Sequence, residues 1–237
     1  MMWALVTGGA KNLGAALCRA LAEKGYNVVI HYMNSKIAAE KVARECQRVG
    51  VFSEIIQGDL SSEKGLNFFV KEYLGRFSKT NLLINNIGNY LISSALNTKL
   101  KDWYSLFHTN LHAPFALSQA LMPSLKKSKG HIFNIGTSKL DVICADTYST
   151  AYTITKQSLW ILTKSLAREL APHGVKVNMV SPGHLDYSID LPVNPKDLPM
   201  GRAAFSYEVV RAVMFMLEEE SSYITGQNLE VAGGVRL

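Results

Sequence analysis

Cysteine is scarce in this 237-residue chain: Cys18, Cys46 and Cys144 stand far apart and are odd in number. No C-x-x-C pair occurs, so neither a disulfide framework nor a cysteine-ligated metal is expected, and the three read as free thiols in a reducing compartment. Long apolar runs are missing too. None approaches the roughly 18 residues of a membrane-spanning helix. The start, Met1-Met2-Trp3-Ala4-Leu5-Val6, lacks the basic stretch and small-residue cleavage site of a secretory signal. Low-complexity tracts and short repeats are absent. With 48% hydrophobic and 19% charged residues, the composition fits a packed core rather than disorder. The expectation is a soluble, cytoplasmic protein with no membrane partner.

Negative charge is in modest deficit: 25 Lys plus Arg against 19 Asp plus Glu give a net +6. Such an excess suits an anionic partner, but the count does not separate nucleic acid, acidic protein and phosphate from a merely solvated surface. The densest basic run, Lys126, Lys127 and Lys129, ends a predicted helix, where cations are favoured anyway. It reads as a solvated helix end or as a contact for an acidic carrier protein. No nucleic-acid motif or interleaved aromatics accompany it, so nucleic acid is not an expected partner. His108 and His112 have a zinc-capable spacing. Without the Glu of H-E-x-x-H they read as surface or interface histidines, and no metal is expected.

What is present is a regular alternation of short apolar runs and helical periodicity. Strands are predicted at Ala4–Thr7, Asn27–Tyr32, Val51–Gln57, Leu82–Asn85, His131–Ile135, Val175–Val180 and Asn228–Val231. Between them lie helical stretches. One carries Leu13, Leu17 and Leu21 and stops at Gly25; another carries Val42, Cys46 and Val49 and closes at Gly50. Others cover about Ser61–Phe77, Lys101–Lys127 and Thr150–Ala171. The last has Ser206 as expected N-cap and Val210, Val213, Met214 and Leu217 on its apolar face. Repeated strand–helix–strand units imply a parallel sheet with helices on both faces. Only about Gly183–Gly201, with Pro192, Pro195 and Pro199, breaks the alternation, and such a stretch is often a functional lid.

Thr7-Gly8-Gly9-Ala10-Lys11-Asn12-Leu13-Gly14 falls between the first strand and first helix. Glycines there let the backbone approach a phosphate, and the helix start offers free N–H groups and a positive dipole end. A tight turn would ask for glycine too; the strand–turn–helix setting is what gives the loop weight. Tyr152-Thr153-Ile154-Thr155-Lys156 supplies Y-x-x-x-K on a predicted helix. Four residues make about one turn, so phenol and ammonium share a face. A phenol titrating near 10 exchanges protons poorly at neutral pH, and a neighbouring cation stabilises its anion. Alone, that pair is common on helix surfaces. Here it is joined by Asn85-Asn86-Ile87-Gly88 after the fourth strand, by Asn110 in a helix, by Thr137 and Ser138 ending the strand from Gly130, and by Pro182-Gly183.

In this order the motifs resemble those of the short-chain dehydrogenase/reductase family over essentially the whole chain. The family's loop reads T-G-x-x-x-G-x-G, with Asn12 here in the place of the middle glycine; its N-N-A-G is matched with Ile87 for Ala. The resemblance implies an α/β, three-layer doubly wound Rossmann-type fold, mostly a seven-stranded parallel sheet with helices on both faces. It implies one NAD(P)-binding domain over 1–237 with a substrate lid over about 183–205. It also implies carbonyl reduction, in which Tyr152 protonates the forming alkoxide while Lys156 holds the nicotinamide ribose and lowers the phenol's pKa. Asn110 supports a relaying water, and Ser138 or Thr137 holds the carbonyl oxygen. The spacing from either hydroxyl to Tyr152 is one or two residues longer than usual, and Tyr187, with Ser188 beside it, stands where the family's Thr contacts the nicotinamide amide.

The same resemblance places the cofactor along Gly8, Lys11, Asn12, Leu13 and Gly14, the second strand's end at His31, Tyr32, Asn34 and Ser35, and then Asp59 and Leu60 against adenine. It continues along Asn86, Ile87 and Gly88 to Tyr152, Lys156, Pro182 and Gly183. Asp59 reads equally as an N-cap of the next helix. An NAD site commonly ends the second strand with a carboxylate for the ribose 2′-hydroxyl. Here no acid appears until Glu40, while Lys11 and Lys36 add positive charge, so NADPH is the expected cofactor. Substrate contacts are expected at Tyr90, Ser138, Tyr152 and Leu185.

Two substrates are implied. One is a 3-oxoacyl thioester on an acidic acyl carrier protein, as for the family's 3-oxoacyl-carrier-protein reductases, in fatty acid synthesis. The other is a pterin, as for its pteridine reductases, with Tyr90 stacking on it. A third reading, of another class, is a non-catalytic NADPH-binding sensor. A homotetramer built on the two long helices is implied by the family alone.

Overall fold

The computed structural model describes residues 1–235. Seven strands form one fully parallel sheet in the order β3-β2-β1-β4-β5-β6-β7. They are β1 (Trp3–Val6), β2 (Asn27–Tyr32), β3 (Ser53–Gln57), β4 (Leu82–Asn85), β5 (His131–Ile135), β6 (Lys176–Pro182) and β7 (Asn228–Val231). Strand parity divides the core into two layers. Ala4, Val6, Val28, Ile30, Ile84, Phe133 and Val180 face helices α1 (Asn12–Glu23), α2 (Lys36–Arg48) and α7 (Ser206–Met216). Leu5, Val29, Leu83, Ile132 and Val177 face α3 (Glu63–Arg76), α5 (Ala113–Ser128) and α6 (Thr150–Leu170). The strands are apolar on both faces because helices cover both. Leu5, Leu17, Leu83 and Ile84 are all fully buried. Truncating any one to Ala costs about 2–5 kcal/mol.

The chain runs outward from β1 to β3, returns across β1 to β4, and then runs outward again. The reversal opens a crevice at the carboxyl ends of β1 and β4, the place where doubly wound sheets bind ligands. Thr7 stitches it together: its Oγ1 accepts the N–H groups of Asn86 and Ile87 at 3.0 and 3.1 Å. Asn86 returns a bond from Nδ2 to the Thr7 carbonyl at 2.9 Å.

Several boundaries differ from the sequence expectation. The predicted helix Lys101–Lys127 is α4 (Leu100–Phe107), a π turn (His108–His112) and α5. Ala113 N–H reaches back five residues to the His108 carbonyl, and Pro114 has no N–H to return to the Asn110 carbonyl four residues back. Helix α7 is capped by Phe205 rather than Ser206, because the Glu208 carboxylate accepts the Phe205 N–H at 2.9 Å and is itself held by Arg202. Helix α3 is capped by the Ser62 hydroxyl rather than by Asp59, whose Oδ1 is taken by the N–H and hydroxyl of Ser61. Strand β3 starts at Ser53 because Val51 and the exposed Phe52 only lead out of the Gly50 turn. Among the described residues, no helix is long and apolar enough to cross a membrane.

Candidate active site

The glycine loop after β1 is shaped by two requirements. Gly8 lies at φ +63°, in the left-handed region. At Gly14 a Cβ would fall 2.2 Å from the Gly8 carbonyl oxygen and 2.7 Å from Asn86 Nδ2, so only glycine lets α1 start this close to the loop. Asn12, the departure from the family's loop, lies at φ +49°. Asn is among the few side chains that tolerate the left-handed region, which accounts for the exchange. The result is a concave backbone cradle against the N-terminus of α1, which fits the diphosphate of a dinucleotide.

His31 differs from its expected role. Its side chain is fully buried. Nδ1 accepts the Gly8 N–H at 3.0 Å and Nε2 lies 3.1 Å from the Gly58 carbonyl. Burial holds the imidazole down to about 4, so it is neutral, with the proton on Nε2. His31 thus braces the glycine loop from beneath instead of meeting a ligand. Tyr32 and Leu60 are buried as well. Exposed Met33, Asn34 and Lys36 follow β2, with Ser35 partly covered. The first carboxylate, on Glu40, is 3.9 Å from Lys36 Nζ.

A cleft of about 410 Å³ runs from this cradle over the ends of β4, β5 and β6. It brings together Asn12, Leu13, Asn86, Gly88, Tyr90, Thr137, Ser138, Tyr152, Lys156, Pro182, Gly183 and Leu185, twelve of the residues expected from sequence. Helix α6 presents Tyr152 and Lys156 on one face. The Lys156 ammonium is 5.8 Å from the centre of the Tyr152 ring and donates to the Ile135 carbonyl at 2.6 Å. Burial alone lowers Lys156 from 10.5 to about 8. Ser138 is buried with its N–H on the Pro182 carbonyl at 3.2 Å, while Thr137 is partly exposed; both line the cleft.

Two sets of polar contacts fix α6. Asn85, Asn134 and Thr163 form a buried chain of bonds, both 2.8 Å, from β4 through β5 to the helix. The eleven residues between Ser138 and Thr150 close on Asp146, whose carboxylate accepts from the N–H groups of Tyr148 and Ser149, both at 2.8 Å, and from Thr153. Asn110, inside the π turn, does not line the cleft. Its amide clasps the Asn89 backbone, accepting its N–H at 2.8 Å and donating to its carbonyl at 3.0 Å, and donates to Thr155 at 3.1 Å. A Cβ at Gly88 would sit 3.4 Å from Lys156 Nζ and 3.5 Å from Asn110 Oδ1, so these three positions converge.

The segment after β6 covers the outer cleft. Ser188 turns back on its own loop, accepting the Leu185 N–H at 2.9 Å. The Tyr187 hydroxyl instead accepts the Leu13 N–H at 3.2 Å, at the start of α1. Ser149, His184, Ile189 and Asp190 also line the cleft without having been picked out by any motif. Among the described residues, no group of three or more His, Cys, Asp or Glu side chains converges as a metal site.

The family profile described as enoyl-(acyl carrier protein) reductase matches residues 8–236. The chain belongs to the short-chain dehydrogenase/reductase family. This short-chain dehydrogenase/reductase is 33% identical over 240 residues to the 3-oxoacyl-[acyl-carrier-protein] reductase FabG of Staphylococcus epidermidis, 98% of each chain being covered. Among solved structures it is similar to the acetoin dehydrogenase YohF of Salmonella typhimurium, with TM-score 0.89 at 28% identity over 99% of this chain and 97% of that one. It is similar also to a blue fluorescent protein from a metagenomic library in complex with NADPH, with TM-score 0.91 at 27% identity over 100% and 98%. Membership makes it a nicotinamide-dependent oxidoreductase acting on the CH–OH/C=O pair.

Proposed function

We propose that this chain is an NADPH-dependent carbonyl reductase whose substrate is a 3-oxoacyl thioester, carried by an acyl carrier protein. The observation that carries the reading is the convergence of Tyr152, Lys156 and the Thr137–Ser138 hydroxyls on a cleft continuous with the α1 cradle. NADPH supplies the hydride when bound, and the cradle, Gly88, Pro182 and Gly183 would hold it. Tyr152 gives its phenolic proton to the carbonyl oxygen as the carbonyl carbon is reduced, and Ser138, the more buried hydroxyl, holds that oxygen by hydrogen bonding. Lys156 favours the phenolate left behind. The Asn110 carbonyl, which has no Pro114 N–H to accept, would support a water that relays protons to Lys156.

The stretch Met33–Lys36, with no carboxylate, supports NADPH over NADH, as does Lys11 in the loop. The whole chain acts as one domain, with its lid over 183–205. Assembly is a tetramer built on α4–α5 and α6, whose exposed Tyr104, Phe115 and Ile161 favour burial between copies. Sedimentation giving a monomer contradicts the assembly. Tyr90 in the outer cleft supports a second reading, pterin reduction. The sensor reading is disfavoured by Tyr152 and Lys156 sharing one cleft.

The test is NADPH oxidation with acetoacetyl thioesters, dihydrobiopterin and a panel of simple ketones. Turnover of the thioester with NADPH preferred over NADH supports the proposal. Turnover of dihydrobiopterin with none of the thioester reverses the order of the two substrates, and no oxidation with any carbonyl overturns the enzymatic reading.

A further inference from the structure

Only two charged side chains line the cleft among the described residues, and they lie on different elements. Lys156 rises from α6, buried and committed to the Ile135 carbonyl. Asp190 comes from the lid. Its Oδ2 accepts the Tyr90 hydroxyl at 2.8 Å and lies 3.8 Å from His184 Nε2. Of the two Lys or Arg side chains in the lid, Arg202 is occupied by Glu208 in a two-pronged pair, each bond 2.8 Å, and Lys196 is exposed and does not line the cleft. The Asp190 carboxylate therefore faces the cleft with a phenol and an imidazole as partners, and its side chain is only 21% exposed.

Tyr90 is wedged between this carboxylate and Tyr152. Its ring meets the Tyr152 ring edge-on, 4.6 Å between centres at 85°. Burial first, then the bond to Asp190, push the Tyr90 hydroxyl far up, so it keeps its proton and keeps donating to Asp190. Tyr90, from the loop after β4, and Asp190, from the lid, thus join across the cleft beside the general acid of the proposed reaction. A negative charge on a side chain this far removed from water is less screened than one on the open surface.

We infer that Asp190 sets the charge selectivity of the substrate half of the cleft: neutral carbonyl compounds, esters and thioesters among them, are admitted, and substrates bearing a free carboxylate near the carbonyl are repelled. The inference rests on the carbonyl-reductase reading but not on the thioester as its substrate. A carrier-bound 3-oxoacyl chain meets the rule, since its carboxyl carbon is masked as a thioester, whereas the corresponding free 3-oxo acid does not.

The matched pair ethyl acetoacetate and acetoacetate tests this with the intact enzyme and NADPH, since the two share the reacting ketone and differ in the charge. kcat/KM for the ester is expected to exceed that for the acid by tenfold or more. Asp190→Asn, which leaves an oxygen for the Tyr90 hydroxyl but removes the charge, is expected to shrink the ratio at least fivefold. Tyr90→Phe, which removes the bond but leaves the charge, is expected to keep it. Fluorescence of bound NADPH reads the binding of the same pair, so a chain without turnover still yields a ratio. A wild-type preference below threefold, a ratio unmoved in Asp190→Asn, or no saturable binding of the ester overturns the inference. Ester turnover without thioester turnover would remove the proposed substrate and leave the charge rule standing.

Discussion

The Tyr187 hydroxyl accepts the Leu13 backbone N–H at 3.2 Å, which ties the lid to the first turn of α1. That N–H belongs to the helix start to which the proposed function assigns the cofactor's diphosphate, so phenol and phosphate compete for one donor. A neutral hydrogen bond contributes about 1 kcal/mol net, equivalent to about fivefold in affinity. Tyr187→Phe is therefore expected to tighten NADPH binding by two- to fivefold in a fluorescence titration. Weaker binding would mean that the phenol helps to hold the cofactor.

Gly14 is where the cradle tolerates least change. An added methyl would lie 2.2 Å from the Gly8 carbonyl oxygen, a backbone atom that cannot swing away as a side chain would. Gly14→Ala is expected to weaken NADPH binding by more than tenfold and to cost about 1–3 kcal/mol of stability in urea denaturation. Asn12→Gly, at a position already in the left-handed region, is expected to leave the fold intact. Unchanged NADPH affinity in Gly14→Ala would contradict the assignment of the cradle.

How much of this was legible in the sequence depends on the range of the signal. Strands β2, β4, β5 and β7 begin and end where expected; the first three are short, mostly apolar and fully buried runs, whereas β7, Asn-Leu-Glu-Val, alternates polar and apolar residues. The π turn at His108–His112 was not legible, since one extra residue per turn barely disturbs an apolar periodicity. His31 was placed at the cofactor by its position at a strand end. Its parity with Val29 instead turns it toward α3, where its ring meets Phe69 edge-on at 5.0 Å between centres. The Phe205 cap depends on the Glu208 side chain three residues further on, and the Ser62 cap on its own hydroxyl accepting the Gly65 N–H. Asp190 carried no motif, and its bond to Tyr90 spans 100 residues of chain, so only the folded lid reveals it.

Lys156 gives a pH signature in the ligand-free protein. Burial lowers it from 10.5 to about 8, so between those values the unfolded chain binds more protons than the folded one. Stability from this group therefore rises with pH over that window, the buried charge being unfavourable below it. The melting temperature of the wild type relative to Lys156→Met is expected to climb from pH 7.5 to pH 10. A difference that stays flat or falls would contradict a desolvated ammonium at this position.

The central claim is that Tyr152 is the general acid, poised on α6 beside Lys156 with the ammonium 5.8 Å from its ring. Removing only the phenolic oxygen tests it most directly, by measuring reduction of an acetoacetyl thioester and NADPH affinity on the same Tyr152→Phe preparation. A lost general acid costs roughly a hundredfold to ten-thousandfold in rate. The account predicts a loss of that size in kcat, with the NADPH dissociation constant within about threefold of the wild type. Turnover that persists near the wild-type rate in Tyr152→Phe would contradict it.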